Sequence, residues 1–125
     1  MHTGGWLQYH DRLGGHTLAR HVGQTNAHLM ARLQQSPRIR GASTFGNQAI
    51  AEFVISQTIR QNRPIIQQWM RSGSGHPLVL QFTSQNVIGR GILRGQGAVH
   101  PMTNARVLLR GFSNRGYYIH TAYPE

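Results

Sequence analysis

The feature that most constrains the fold is a change of hydrophobic period at the turn-rich segment Arg71–Pro77, RSGSGHP. Before this segment, apolar residues recur about every 3.6 positions, which is the period of an amphipathic helix. After it, Leu78, Leu80 and Phe82 occupy alternate positions, as in a half-buried strand. Helices followed by strands predict an α+β fold, with a helical part at about 6–70 and an antiparallel sheet at about 77–124.

Two helices in the N-terminal part have clear sequence boundaries. Thr25 is the predicted N-cap of a helix at Asn26–Gln35. The longest helical pattern runs from Asn47 to Gln61. Its predicted core side consists of Ile50, Ala51, Phe53, Val54, Thr58 and Ile59. The segment between these two helices, Arg38–Gly46, is predicted to be a basic loop.

Three further strands are predicted in the C-terminal part. Val87–Leu93 contains two glycines, which favour a bulge or a strong bend. The segment GQGAVHPMTN that follows is predicted to be a loop. Ala105–Phe112 and a last strand from Tyr117 to Tyr123 are joined by a tight turn at Ser113–Gly116, so these two strands must be antiparallel.

The chain has 125 residues and no cysteine. This length favours a single domain, residues 1–125, and the lack of cysteine excludes disulfides and thiolate metal sites. No apolar run approaches the roughly 20 residues that cross a bilayer, and no hydrophobic signal segment opens the chain. If the protein leaves its cell, we expect a sequence outside this chain to carry it.

Charge narrows the classes of function. The net charge is +10, and all thirteen basic residues are arginine. Such a field favours polyanionic partners, and the guanidinium fork suits phosphate. The only acids are Asp11, Glu52 and Glu125, too few and too dispersed for a carboxylate pair or a carboxylate-held metal ion. An enzyme of this composition must therefore use His, Tyr or water as acid and base, and Arg to stabilise an anion.

The candidate imidazoles concentrate in the stretch Gly14–Arg32. It holds three of the eight histidines, His16, His21 and His28. From the residues alone, any of the three could take part in catalysis. A zinc site could be built from His16 and His21 or from His10 and His16. Neither pair has the i, i+4 spacing of a helical zinc pair, and no cysteine or nearby glutamate completes a site. We therefore expect no metal and no cofactor.

The last strand offers a pair of hydroxyl groups. Alternation places Tyr117, Ile119, Thr121 and Tyr123 on one face and His120 on the opposite face. Thr121 and Tyr123 would then form a hydrogen-bonding platform for a phosphate. Thr and Tyr are also favoured in strands for packing alone, so the pair is weak evidence without a partner site.

A second pair of hydroxyl side chains, Ser43 and Thr44, follows the arginines Arg38 and Arg40. These hydroxyls could contact a phosphate, and they are additional candidates for the site. The favoured interpretation is that they cap the helix that begins near Asn47.

Four segments carry a resemblance that covers most of the chain, from about Leu7 to Pro124. They are, in order, GGHTLARHVGQTNAHLMARL, ASTFGNQAIAE, IIQQWM and YYIHTAYP. Their ordered combination resembles the bacterial RNase A-like toxin domain at the C-termini of CdiA-type contact-dependent growth inhibition proteins and related polymorphic toxins. The resemblance implies a two-lobed fold similar to pancreatic ribonuclease, with helices and antiparallel sheet around a cleft but without disulfides.

The family motifs imply the roles of four residues. His21 is the catalytic imidazole, Arg32 is the cation on the phosphate side, and Thr121 and Tyr123 complete the site. His16 is an additional candidate because it follows a glycine pair. The implied activity is a metal-independent endoribonuclease in which a ribose 2′-OH attacks phosphorus and leaves a 2′,3′-cyclic phosphate, with tRNA as one candidate substrate.

The resemblance also implies a biological setting. Members of the family are delivered as part of a larger secreted toxin protein, act in the cytoplasm of a target bacterium and are neutralised by a cognate immunity protein. The positive charge favours an acidic immunity partner, with the chain a monomer or a heterodimer with that partner. Two alternatives remain open: a non-catalytic basic RNA-binding module, and a metal-dependent nuclease, which the low number of acids opposes.

Overall fold

The computed structural model describes residues 6–15, 17–73, 75–111 and 116–125 of the chain. Its elements in chain order are α1 (Leu7–Arg12), α2 (Thr17–His21), α3 (Asn26–Gln35), β1 (Gly41–Phe45), α4 (Gln48–Gln61), α5 (Arg63–Ser72), β2 (Leu78–Phe82), β3 (Gly89–Leu93), β4 (His100–Met102), β5 (Ala105–Gly111) and β6 (Tyr117–Pro124). The candidate His16 and most of the predicted turn at Ser113–Gly116 lie outside the described residues. The order of helices and antiparallel strands confirms the predicted α+β class.

Side-chain caps begin helices α3 and α4, and the cap of α3 is the predicted one. The Thr25 hydroxyl accepts a hydrogen bond from the His28 amide at 3.1 Å, at the start of α3. The Asn47 side chain accepts one from the Ile50 amide at 2.8 Å, at the start of α4. Each bond satisfies an amide that has no partner within the helix.

The strands that the structure describes form two antiparallel sheets. One has the order β1-β3-β4 and the other β2-β5-β6. The predicted antiparallel pairing of the last two strands is confirmed in the register of β5 and β6. The first sheet joins strands that are distant in sequence: β1 comes from the N-terminal half of the chain and pairs with β3.

Two predicted loops were wrong, since each contains a strand. Gly41–Phe45 is strand β1, and the residues from Ala42 to Phe45 are all buried. Burial on both faces removes the alternation of polar and apolar residues by which a strand is recognised. His100–Met102 is the edge strand β4, in which Pro101 has no amide to donate. Proline is tolerated on an edge strand but counts against a strand in sequence.

The predicted core face of α4 was partly wrong. Phe53 is 57 % exposed, whereas Ile55 is fully buried. The buried stripe runs through Ala51, Val54, Ile55 and Thr58, which follows the i, i+3, i+4 spacing of one helix face. Phe53 lies off that face, so its apolar side chain does not reach the core.

The predicted irregularity in the sheet is present, but in a different strand. The register of β1 and β3 is continuous through Gly89 and Gly91, so the prediction of a bulge there was wrong. A Cβ at Gly89 would collide with the Thr44 carbonyl, which shows that the glycine serves close approach of the two backbones. The register shift lies in β6, at His120.

The buried apolar side chains form two clusters. The main core lies between α4, α5 and the sheet β2-β5-β6, and it includes Val54, Ile66 and Val107. A smaller cluster joins α3 to the sheet β1-β3-β4 and consists of Leu29, Leu33, Ala42 and Ile92. Among the described residues, no helix is long and apolar enough to cross a membrane. The space between the two sheets is where the candidate residues meet.

Candidate active site

A cleft of about 600 Å³ opens between the two sheets and brings together residues from both ends of the chain. Five of the residues singled out in the sequence line it: His21, Arg32, Ser43, Thr121 and Tyr123. They come from α2, α3, β1 and β6, so no short sequence motif contains the site. The proximity of these side chains is a finding of the structure, and their roles in catalysis remain a prediction.

Helix α2 holds His21 against strand β1. Both carboxylate oxygens of Asp11 accept amides at the start of α2, from Thr17 at 3.0 Å and Leu18 at 2.8 Å. Just beyond the end of the helix, the Gly23 amide donates to the Phe45 carbonyl at 3.1 Å. These contacts fix the short helix at both ends.

The imidazole of His21 is 8 % exposed, and its Nδ1 lies 3.3 Å from the carbonyl oxygen of Ser43. A carbonyl oxygen can only accept, so Nδ1 carries a hydrogen in this contact. In the neutral ring, Nε2 is then the atom with a lone pair. The contact with β1 therefore selects the tautomer in which Nε2 can accept a proton.

Tyr123 packs beside the candidate base. Its ring centroid lies 5.3 Å from that of His21, with an interplanar angle of 42°. Tyr123 is opposite Arg106 in the register of β5 and β6. Because side chains of opposed residues share a face, Arg106 also points toward this side of the sheet, and both residues line the cleft.

Arg32 projects from α3 into the cleft without a carboxylate partner. Partial burial, and then the positive charge of Arg20, lower the pKa of Arg32 from its ordinary value. Its Nη1 atom is buried, and no hydrogen-bond partner reaches it from the described residues. A buried guanidinium N–H without an acceptor is costly, and an anion in the cleft would satisfy it.

Thr121 is 6 % exposed, and its Oγ1 is buried with no hydrogen-bond partner in the described part of the chain. Its orientation depends on the bulge in β6. Leu108 pairs with Thr121 and Leu109 pairs with Ile119, so His120 is an extra residue. The bulge corrects one prediction, because Ile119 faces the core while Thr121 and Tyr123 face the cleft.

The three acids do not neutralise Arg32. Asp11 accepts the amides of α2, and Glu52 accepts the Leu7 amide at 3.0 Å. Glu125 lies in the cleft, but it forms an ion pair with Arg106 at 3.2 Å. The described lining therefore carries the guanidinium groups of Arg32, Arg40 and Arg106 against one carboxylate, which makes the cleft electropositive.

Two of the remaining candidates lie elsewhere. Thr44 is fully buried, accepts a hydrogen bond from the Gln24 amide at 3.0 Å and donates one to the Phe45 carbonyl at 2.9 Å, so its hydroxyl supports the fold. The favoured prediction that Ser43 and Thr44 cap α4 was wrong, because Asn47 caps it. His28 is exposed and is not among the residues that line the cleft.

His120 is the extra residue of the bulge and is not part of the described cleft lining. Burial lowers its pKa, and the charges of Arg110 and Arg20 lower it further.

Among the described residues, no group of three His, Asp or Glu side chains is placed to hold a metal ion. Neither of the suggested zinc pairs can be followed here, since both contain His16, which is outside the described residues.

The sequence did not single out several residues that line the cleft. The charged ones are Arg40, Arg106 and Glu125, and the apolar ones include Ile39, Ile92 and Met102. A signal for Arg106 exists, because it occupies a polar position in the alternating pattern of β5. The apolar residues that line the cleft have no such signal in the sequence, because they come from separate elements of the fold.

Comparisons with known proteins identify a matching family and a similar solved structure. A family model described as the bacterial CdiA-CT RNase A domain matches residues 15–124. A crystal structure of a CdiA-CT/CdiI complex from Y. kristensenii contains a similar chain, with 35 % sequence identity and a TM-score of 0.79 over 89 % of this chain and 99 % of that one. A search of curated protein sequences finds no match.

Proposed function

Because the chain belongs to the family of bacterial CdiA-CT RNase A domains, we propose that it is a toxin endoribonuclease that cleaves RNA without a metal ion. The 2′-OH of a ribose attacks the adjacent phosphorus, and the products carry a 2′,3′-cyclic phosphate. The residues proposed to perform this reaction are His21, Arg32, Thr121 and Tyr123, which line one cleft.

The observation that carries the proposal is the pair of buried polar atoms without partners in the described cleft. Arg32 Nη1 and Thr121 Oγ1 belong to two residues that line the cavity, and His21 lines it as well. Each atom can donate a hydrogen bond to an oxygen. A phosphate group would accept both donors and would bring its neighbouring 2′-OH to the imidazole. The geometry supports this arrangement better than a neutral ligand, because Arg32 has no carboxylate partner among the described residues.

Each residue has a distinct part in the proposed reaction. His21 takes the proton from the 2′-OH through Nε2, since its Nδ1 faces the Ser43 carbonyl. Arg32 stabilises the charge that develops on the pentacoordinate phosphate. Thr121 holds a phosphate oxygen. The phenol O–H of Tyr123 can donate a proton, and we assign to it the protonation of the leaving 5′-oxygen.

A cleavage assay in EDTA tests the proposed reaction. The purified protein should cleave RNA equally well with and without EDTA, and it should leave DNA intact because DNA has no 2′-OH. The His21→Ala variant should bind RNA but not cut it. Cleavage that stops in EDTA would contradict the proposal in favour of a metal-dependent nuclease. RNA binding without cleavage by the unaltered protein would favour a non-catalytic RNA-binding module.

We further propose that an immunity protein binds this chain. The similar chain from Y. kristensenii was crystallised in a CdiA-CT/CdiI complex. A net charge of +10 favours fast association with an acidic surface, so the expected partner is acidic and covers the cleft. The chain is then a monomer when free and half of a heterodimer when neutralised.

The family membership also supports a setting for the activity. We propose that the chain is the toxin domain of a larger secreted protein and that it acts in the cytoplasm of a target bacterium, with tRNA as one candidate substrate. Northern analysis of target-cell RNA after delivery would identify the RNA that is cut. Intact RNA in intoxicated cells would contradict this setting.

A further inference from the structure

The orientation of Thr121 and Tyr123 depends on the bulge at His120. Without the bulge, the register from the hairpin end of β5 and β6 would continue from Leu109↔Ile119 to pair Val107 with Thr121. Val107 is fully buried in the main core. A one-residue slip would therefore turn both hydroxyl side chains away from the cleft and into the core.

Strand β6 is an edge of its sheet, and helix α1 covers that edge at the bulge. The Ile119 amide donates to Nδ1 of His10 at 3.0 Å, across a separation of 109 residues. Gly15, which follows α1, passes so close to the strand that a Cβ there would collide with the Ile119 carbonyl. The bulge is thus contacted by a side chain from α1 and by backbone from the segment after it.

Helix α1 is itself anchored at its start. Leu7 is fully buried in the main core, and its amide donates to the Glu52 carboxylate of α4 at 3.0 Å. The helix therefore connects α4 to β6, and His10 near its end is the residue that reaches the bulge. The family model begins at residue 15, so α1 lies outside the matched region.

We propose that His10 is a positioning residue of the cleft, which accepts the Ile119 amide and thereby holds the bulge that directs Thr121 and Tyr123 toward the substrate. His10 is not among the residues that line the described cleft. Its effect is transmitted through the register of β6. The kinetic part of this inference rests on the proposed ribonuclease function, and the structural part does not.

Two substitutions at His10 separate the role of its hydrogen-bond acceptor from the role of its aromatic ring. His10→Phe keeps an aromatic ring against Trp6, which lies at a centroid distance of 5.4 Å, but has no acceptor. His10→Asn loses the ring but places an oxygen near the position of Nδ1. Val54→Ala, in the main core on α4, serves as a control for loss of stability alone.

We expect His10→Phe to lower kcat by about 10-fold or more with KM within about 2-fold, because Thr121 and Tyr123 would be displaced from the reacting groups while Arg32 still binds the phosphate. His10→Asn should recover most of the activity, and Val54→Ala should retain it well below its melting temperature. The proposal is overturned if His10→Phe retains the kcat of Val54→Ala, or if His10→Asn is as inactive as His10→Phe.

Hydrogen exchange of the Ile119 amide gives a second readout that does not require cleavage. The amide should exchange slowly in the unaltered protein and in His10→Asn, and about 10-fold or more faster in His10→Phe. If the unaltered protein does not cut RNA, the proposed function fails while this readout still decides the structural part. Equal protection in His10→Phe would overturn the role of His10 whatever the activity.

Discussion

Thr121 and Arg32 each bury a polar atom that finds no partner in the described structure. Leaving a donor in this state costs about 1–3 kcal/mol per group. The folded chain therefore carries an unfavourable contribution that a bound phosphate would remove. Such a contribution is expected where a site is arranged for a charged ligand that is not part of the protein.

A Thr121→Val substitution tests this interpretation. Valine is similar in shape to threonine and lacks the hydroxyl, so we expect the free energy of unfolding to rise by about 1 kcal/mol. The kcat should fall by about 10- to 100-fold, because one donor to the phosphate is lost. Denaturant unfolding and initial-rate kinetics measure the two effects.

Thr58→Val is the matched control, since the Thr58 hydroxyl is also fully buried but donates to the Val54 carbonyl at 2.7 Å. This variant should keep its activity and should gain no stability. A loss of stability in Thr121→Val with unchanged kcat would show that the Thr121 hydroxyl serves the fold instead of the site.

His120 gives the folded state a defined response to acid. Burial and the nearby charges of Arg110 and Arg20 lower its pKa below the ordinary value of 6.5. The unfolded chain therefore binds a proton more readily than the folded one, so this residue contributes stability above pH 6.5 that is lost as the pH falls through the folded pKa. His120→Gln should lose less stability than the unaltered protein between pH 7.5 and pH 5. Urea unfolding at the two pH values measures the difference, and parallel losses would contradict the assignment.

Among the elements, helices α3 and α4 and the hairpin of β5 and β6 could be predicted because their signals are local. Thr25 is the predicted cap of α3, and the alternation at Leu78–Phe82 is a strand pattern. Strand β1 could not be predicted, because it is buried on both faces and pairs with β3, which lies more than forty residues later. Its recognition requires knowledge of the partner strand.

The residues of the candidate site could be predicted from the sequence only in part. The family motifs indicated His21, Arg32, Thr121 and Tyr123, and the structure places them in one cleft. The bulge at His120 could not be predicted, since a strict period of two assigns Ile119 and Thr121 to the same face. Residues that support the site without lining it, such as Asp11, have no recognisable sequence motif. Their role depends on which backbone amides the fold brings next to them.

Helix α2 is a short element whose start depends on Asp11. Its carboxylate accepts two amides of the first turn, and a negative charge there also interacts favourably with the helix dipole. We expect Asp11→Ala to lower the free energy of unfolding by about 1–2 kcal/mol. Asp11→Asn, which retains one acceptor oxygen, should lose less. Thermal melting checks both variants, and equal stability of Asp11→Ala and the unaltered protein would contradict this role.

Across the molecule, we expect the positive charge to govern binding of the proposed RNA substrate. The chain carries +10, and the described cleft includes Arg40 on its rim. Each contact with a phosphate of single-stranded RNA contributes a slope of about −0.7 to the plot of log affinity against log salt concentration. In the His21→Ala background, Arg40→Ala should therefore make the slope less steep by about 0.7.

The control for this measurement is Arg60→Ala. Arg60 is exposed in the last turn of α4 and is not among the described residues of the cleft. It should leave the slope nearly unchanged. Equal effects of the two substitutions would show that RNA is held by the overall field of the protein and not by the cleft.

In the proposed reaction, His21 activates a ribose 2′-OH in a cleft where Arg32 and Thr121 bind the phosphate. The most direct test uses an RNA with a single known cleavage site, prepared with ribose or with one 2′-deoxyribose at that site, and identifies the product ends by mass spectrometry. In the presence of EDTA, we expect a 2′,3′-cyclic phosphate from the ribose substrate and no cut at the 2′-deoxy position or with His21→Ala. Cleavage at the 2′-deoxy position, or a linear phosphate formed without a cyclic intermediate, would contradict it.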